Sequence, residues 1–148
     1  EAYDHCLVEG YILPLEDSSV ERMSNSLRII EEDLLSAQEA AAKKRWTSAY
    51  KLYYDVLQRL VESFLLFDKV KTKNDLSLFS YLCCKHPELE LEWGFFERVR
   101  ARRDRIRDEV ILLSERDWKE VELQFKLYIS SLKKEIELKL SSSSRNVY

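Results

Sequence analysis

Turn formers are almost missing from this sequence, which has 2 Gly and 2 Pro among 148 residues. Glycine and proline are the strongest local breaks in a chain, so their scarcity permits few turns and demands long elements. The hydrophobic pattern says which kind. Val20, Met23, Leu27, Ile30, Leu34, Ala37 and Ala41 recur at alternating steps of three and four, the spacing of one face of an α-helix. Ser18 and Glu21 form a capping-box pattern in front of it, so a helix is predicted over about residues 19–44. Its heptads do not continue without a break, which favours a helix lying along a bundle core over a coiled coil.

The rest of the chain divides the same way. Arg45, Trp46 and Thr47 mark a short break. Ala49, Tyr50, Tyr53, Leu57, Leu60, Phe64 and Phe67 then define a helix over about residues 47–68. Its apolar arc is wide, which makes it the expected centre of the core. Residues 69–73 read as a basic loop. Asn74 is placed to cap a shorter helix carrying Leu76, Leu78, Phe79, Leu82 and Cys83 and ending before Pro87. A fourth long helix is predicted over about residues 90–113. Ser114-x-x-Asp117 starts another, with Trp118, Val121, Phe125, Tyr128, Leu132 and Ile136 on its stripe and an end near Leu140. At the N-terminus, Tyr3, Cys6 and Leu7 fit a short helix ending at Gly10. Residues 11–13 then run extended to Pro14. Residues 141–148, with four consecutive Ser, lack periodicity and are expected to be disordered. No strand alternation is visible. The expectation is one all-α domain over residues 1–140, an up-and-down antiparallel bundle of about five helices.

Composition bounds the function. Apolar residues make up 45% and charged residues 34%, the balance of a soluble globular domain. A net charge of −3 gives the chain as a whole no electrostatic pull toward nucleic acid or membrane, and no apolar run is long enough to span a bilayer. Cys6, Cys83 and Cys84 are odd in number and two are adjacent, which argues for buried thiols in a reducing, cytoplasmic setting. His5 and His86 are the two histidines, and no ligand spacing supports a metal site. Cys83, Cys84 and His86 read as a helix end with buried thiols. No glycine-rich loop is present to cradle a cofactor phosphate, and no cofactor is expected.

Positive charge is concentrated instead. Six of the eleven residues 98–108 are Arg. Phe96, Val99, Ile106, Val110 and Leu113 set a helical stripe through this stretch, and continuing its beat from Val99 to Ile106 lands on Arg103. A guanidinium at such a position is costly unless it is paired or opens onto a cleft. At 100° per residue, Arg100, Arg103 and Arg107 fall on one side, with Asp104 and Asp108 beside them. One reading is a surface lattice of ion pairs, Asp104 with Arg100 and Arg107 and Asp108 with Arg105, each worth a few tenths of a kcal/mol. The other is a cleft where Arg100, Arg103 and Arg107 meet a phosphate.

Three stretches are similar to the HEPN family of small helical domains. Residues 34–66 (LLSAQEAAAKKRWTSAYKLYYDVLQRLVESFLL) resemble that family's two leading core helices. Residues 69–82 (KVKTKNDLSLFSYL) are similar to its basic loop and short third helix. Residues 95–110 (FFERVRARRDRIRDEV) are similar to its signature helix. The likeness covers about residues 5–140. It implies an up-and-down bundle that forms a symmetric dimer, with the two signature helices facing each other across a cleft. Active members of the family are metal-independent endoribonucleases. Their motif is an Arg, an adjacent polar residue (often Asn), and a His or Tyr about five positions past the Arg.

By position, the resemblance puts the catalytic residues on Arg103, Asp104 and Asp108. Asp108 is neither His nor Tyr. As a carboxylate among arginines it stays ionised at pH 7 and is a poor acid for a leaving group. Asp104 replaces a neutral amide, and Asn74 stands where many relatives have His. The resemblance therefore implies phosphate contact more than cleavage. The expected function is a dimeric, non-catalytic or weakly catalytic binder of RNA, a nucleotide or a nucleotidyltransferase partner. The alternatives are an endoribonuclease toxin of a toxin–antitoxin pair, with Asp108 as base, and a purely structural dimer subunit.

Overall fold

The computed structural model describes residues 1–14 and 20–145, with side chains through residue 142. Ser18 of the expected capping box lies outside the described residues. Of the described residues, 81% are helical, and the elements run in the order α1 (Ala2–Val8), β1 (Ile12–Pro14), α2 (Val20–Ala42), α3 (Trp46–Leu65), a 3-10 turn (Leu66–Asp68), β2 (Val70–Thr72), α4 (Asp75–Lys85), a second 3-10 turn (Pro87–Leu89), α5 (Trp93–Asp108) and α6 (Glu115–Arg145). This is the expected all-α bundle.

Helix α3 is the axis of the bundle. More than half of its 20 residues are buried, and α2 and α6 pack along it most extensively, with α4 and α5 also packed against it. The wide apolar arc explains this position, because a helix apolar on several sides needs neighbours on several sides. Helix α2 contributes Met23, Ile30, Ala37 and Ala40, and α6 contributes Trp118, Val121, Phe125, Ile129, Leu132 and Ile136. Aromatic rings fill the centre. Trp118 lies 4.9 Å from Tyr53 between ring centroids, Phe125 meets Tyr50 edge-on at 5.5 Å, and Phe79 stacks on Phe96 at 4.8 Å. Each such ring, fully buried, is worth about 1.5–3 kcal/mol over exposure.

The helix ends show how a chain with little glycine turns. Gly10 takes the left-handed conformation after α1, but Lys44, Lys69, Glu90 and Val110 take it as well, with φ between 53° and 60°. These four residues follow α2, the two 3-10 turns and α5. Asn74 caps α4 as expected, its Oδ1 accepting from the Ser77 backbone N at 2.9 Å and from Ser77 Oγ. Ser114 and Asp117 form a reciprocal cap on α6. Ser114 N donates to Asp117 Oδ2 at 2.9 Å, and Asp117 N donates to Ser114 Oγ at 3.2 Å.

Several expectations are corrected. The break between α2 and α3 falls at residues 43–45 rather than 45–47, so Trp46 and Thr47 open α3. Helix α5 starts at Trp93 and stops at Asp108, not at Leu113. Val110 therefore leaves the stripe and is 81% exposed. Leu113 still reaches the core, held by its backbone N donating to Thr47 Oγ1 at 2.8 Å. Helix α6 continues through Arg145, so residues 141–145, expected to be disordered, are helical; residues 146–148 lie outside the described residues. The basic loop contains strand β2, which pairs antiparallel with β1 in the register Ile12↔Thr72, Leu13↔Lys71, Pro14↔Val70. Three residues on each strand are too few for alternation to show. The pair ties the N-terminal segment to the α3–α4 connection, while α1 packs on α4. Of the thiols expected to be buried, Cys6 is buried, Cys83 half-buried and Cys84 exposed.

Candidate functional site

Helix α5 sends its arginines in different directions, and their partners separate them. Arg98 and Arg102 turn toward α6, Arg98 Nη2 donating to Gln124 Oε1 at 3.5 Å and Arg102 Nη1 lying 3.2 Å from Asp117 Oδ1. Arg105 Nε donates to Glu109 Oε2 at 2.6 Å, one turn along. Arg107 Nε donates to Asp108 Oδ1 at 2.9 Å, and its Nη2 to Asp104 Oδ1 at 3.3 Å. The expected pair of Asp104 with Arg107 is present. Asp108 pairs with its neighbour Arg107 rather than with Arg105. Arg107 itself is 64% exposed, so it stands off the apolar border where it was expected beside Arg100 and Arg103.

The side chains of Arg100 and Arg103 are 30% and 28% exposed, much as that of Arg102 is, but unlike Arg102 they have no carboxylate close enough for a hydrogen bond. Arg103 lies between Val99 and Ile106, both buried, as its place in the stripe requires. Its guanidinium reaches Asp55 of α3 at 3.8 Å, and Arg100 reaches Asp104 at 4.0 Å. Both approaches are too long for hydrogen bonds. The Nε atoms of both arginines are buried and have no hydrogen-bond partner among the described residues. A buried, charged donor without an acceptor is costly, and the donors of these two groups that remain within reach of a ligand are the Nη atoms, which make no hydrogen bond to Asp104 or Asp55.

The floor beside them comes from α3 and the start of α4. Tyr54 Oη donates to Asp75 Oδ2 at 2.5 Å, and Gln58 Nε2 donates to Asp75 Oδ1 at 2.6 Å. Burial first, then the bond to Asp75, push the Tyr54 hydroxyl far above its ordinary value, so it stays a donor. Burial raises the Asp55 carboxyl against the opposing pull of Arg103. Asp108 moves the other way, lowered by its bond to Arg107.

No family model, curated protein or solved structure matches this chain. The site is therefore read from its own geometry. That geometry brings Arg100, Arg103 and Asp104 together and adds Tyr54, Asp55, Gln58 and Asp75, which the sequence reading did not single out. Asp55 and Gln58 were visible as polar residues three apart on the most apolar helix. Their meeting with α5 depends on how three helices pack and has no local signal. His86 lies elsewhere. Its Nε2 is 2.6 Å from Asp68 and its Nδ1 2.9 Å from Glu88, with Phe64 edge-on at 4.7 Å, so it binds the two 3-10 turns together. Burial pushes the Cys83 thiol up to about 12, which makes it a weak nucleophile at neutral pH. Among the described residues, no group of three His, Cys, Asp or Glu side chains is placed to hold a metal ion, and no helix is long and apolar enough to cross a membrane.

Proposed function

We propose that this chain is a HEPN-like protein that binds RNA phosphates through Arg100 and Arg103 without cleaving the strand, and that it works as a two-fold dimer with α5 of each protomer facing the other. The observation that carries the reading is the pair of half-buried guanidinium groups that lie 4.0 and 3.8 Å from their nearest carboxylates and make no side-chain hydrogen bond among the described residues. A guanidinium offers a planar fork of donors that fits phosphate oxygens two at a time. Binding without cleavage follows from the state of Asp108. It is ionised, tied to Arg107 at 2.9 Å, and turned to the exposed side of the helix. The two positions that the resemblance pairs with Arg103 are both carboxylates, Asp104 and Asp108, and supply neither a proton donor for a leaving group nor a neutral amide.

The test is a titration of fluorescein-labelled single-stranded RNA in EDTA, followed by a gel of the bound strand. A charge-assisted hydrogen bond is worth about 1.5–3 kcal/mol, so Arg103→Ala should weaken binding about tenfold or more. The strand should come off intact. Equal affinity for both proteins would remove the phosphate reading.

A second reading is kept by one observation. Asp55 is a half-buried carboxylate with a raised pKa, 3.8 Å from Arg103, which suits a general base acting on a ribose 2′-hydroxyl. In that case the protein is an endoribonuclease, and the base is Asp55 rather than Asp108. Cleavage in EDTA that is lost in both Asp55→Asn and Arg103→Ala, and kept in Asp108→Ala, would select it.

A further inference from the structure

A second cationic site lies further along α3. A cavity of about 200 Å³ opens between α2, α3 and β2. Arg22 lines it from α2, Arg59 from α3 and Lys71 from β2, together with Ser26, Thr72 and Glu62 and an apolar wall that includes Leu66 and Leu78. Among the described residues, neither Arg59 nor Lys71 has a carboxylate within ion-pair distance. Three cations carried by three separate elements meet at one concave point, and two of them have unspent donors.

The position of this cavity connects it to the arginine site. Asp55, Gln58, Arg59 and Glu62 follow at steps of three, one and three along one face of α3. Asp55 faces Arg103. Glu62 lines the cavity. At 1.5 Å of rise per residue the two ends of this strip are about 10 Å apart. Asp75 lies between them. It is held by Tyr54 and Gln58 through both of its oxygens, and its charge is felt by Asp55, Glu62 and Arg107 alike.

We propose that the cavity lined by Arg59, Lys71 and Arg22 holds the terminal phosphate of the RNA strand whose next phosphates lie against Arg100 and Arg103. This rests on the RNA reading above. The chemistry favours a terminal group over an internal one. A phosphate monoester near pH 7 carries close to two negative charges and three free oxygens, whereas a diester inside a strand carries one charge. Three cations and two hydroxyl donors in a concave site match the monoester. Glu62 at the same site is an acceptor for a hydroxyl of the attached ribose.

The experiment compares three forms of one short RNA: 5′-phosphorylated, 3′-phosphorylated and unphosphorylated at both ends. Each is titrated against the wild type, Lys71→Ala, Arg59→Ala and Arg103→Ala, with folding checked by circular dichroism. The wild type should bind one of the phosphorylated forms at least tenfold more tightly than the unphosphorylated form. Lys71→Ala and Arg59→Ala should lose most of that preference and keep their affinity for the unphosphorylated strand. Arg103→Ala should weaken all three forms and keep the preference. Equal affinity of the wild type for all three forms, with binding that still depends on Arg103, overturns the terminal-phosphate site and leaves the RNA reading standing. A preference that survives both Lys71→Ala and Arg59→Ala also overturns it. Loss of the RNA reading has a different signature, an affinity that Arg103→Ala does not change.

Discussion

Arg103 occupies a position where the helix pattern asks for an apolar side chain, and that misfit is what made it legible. Its surroundings were not. The 3.8 Å approach to Asp55 crosses from α5 to α3, a separation of 48 residues, and no spacing rule reaches that far. Arg100 shares the same condition of a buried Nε without an acceptor; helical spacing set it apart from Arg98 and Arg102 but grouped it equally with Arg107, which is exposed. What separates them is where each side chain finds its nearest carboxylate. Strain at single residues is a second property the sequence hides. Val110 holds φ at 54° although it is β-branched and 81% exposed. The left-handed region costs an L-residue about 1–2 kcal/mol, and Asn tolerates it far better. Val110→Asn is therefore expected to stabilise the fold by about 1 kcal/mol, seen as a higher urea midpoint with an unchanged m-value. A lower midpoint would mean that Val110 makes a contact worth more than its strain.

Elements were easier to read than their limits. The stripes of α2, α3 and α6 follow a spacing that only one structure satisfies, and Asn74 and Ser114 mark starts because their side chains can accept the first free amides. Ends were harder, since four of the left-handed turns use Lys, Glu or Val rather than Gly. The overlong estimate for α5 has that origin, as nothing in Glu109-Val110-Ile111 signals a stop. The paired strands escaped notice because a three-residue ladder is defined by its partner, not by its own pattern. The reciprocal cap on α6 gives a pH test. Asp117 is lowered first by its bond from the Ser114 backbone and then by Arg102. A carboxyl with a depressed folded pKa adds stability above its unfolded value, and that stability is lost as pH falls through the folded value. Asp117→Ala should cost about 1 kcal/mol at pH 7, measured by urea unfolding, and the gap from wild type should narrow progressively below about pH 4. A gap that stays constant down to pH 2.5 would show that the loss is packing rather than charge.

At the scale of the whole molecule, one bundle presents two cationic features along α3, one where α5 meets it and one where α2 and β2 meet it, within a chain of net charge −3. Asp55 and Asp104 lie beside the arginines and Glu62 lies in the cavity, which restricts phosphate binding to the points where arginine and lysine donors are unspent. Two large apolar side chains, Val110 and Leu112, stand exposed just past the end of α5. In the proposed dimer, where the two α5 helices face each other, they are covered by the second protomer. Leu112→Asp should then shift the protein to monomer in sedimentation velocity at micromolar concentration while leaving the helical signal unchanged. A wild type that sediments as a monomer at the same concentration would remove the dimer from the account. The central claim is narrower than the dimer, and it concerns the two arginines. The most direct measurement is the salt dependence of single-stranded RNA affinity for the wild type and for the double variant Arg100→Ala/Arg103→Ala. Each lost phosphate contact should flatten the plot of log K against log salt by about 0.7, so the variant is predicted to bind more weakly with a slope smaller by about 1.4. An unchanged slope with unchanged affinity would contradict the account, because it would mean that the Arg100 and Arg103 guanidinium groups meet no phosphate.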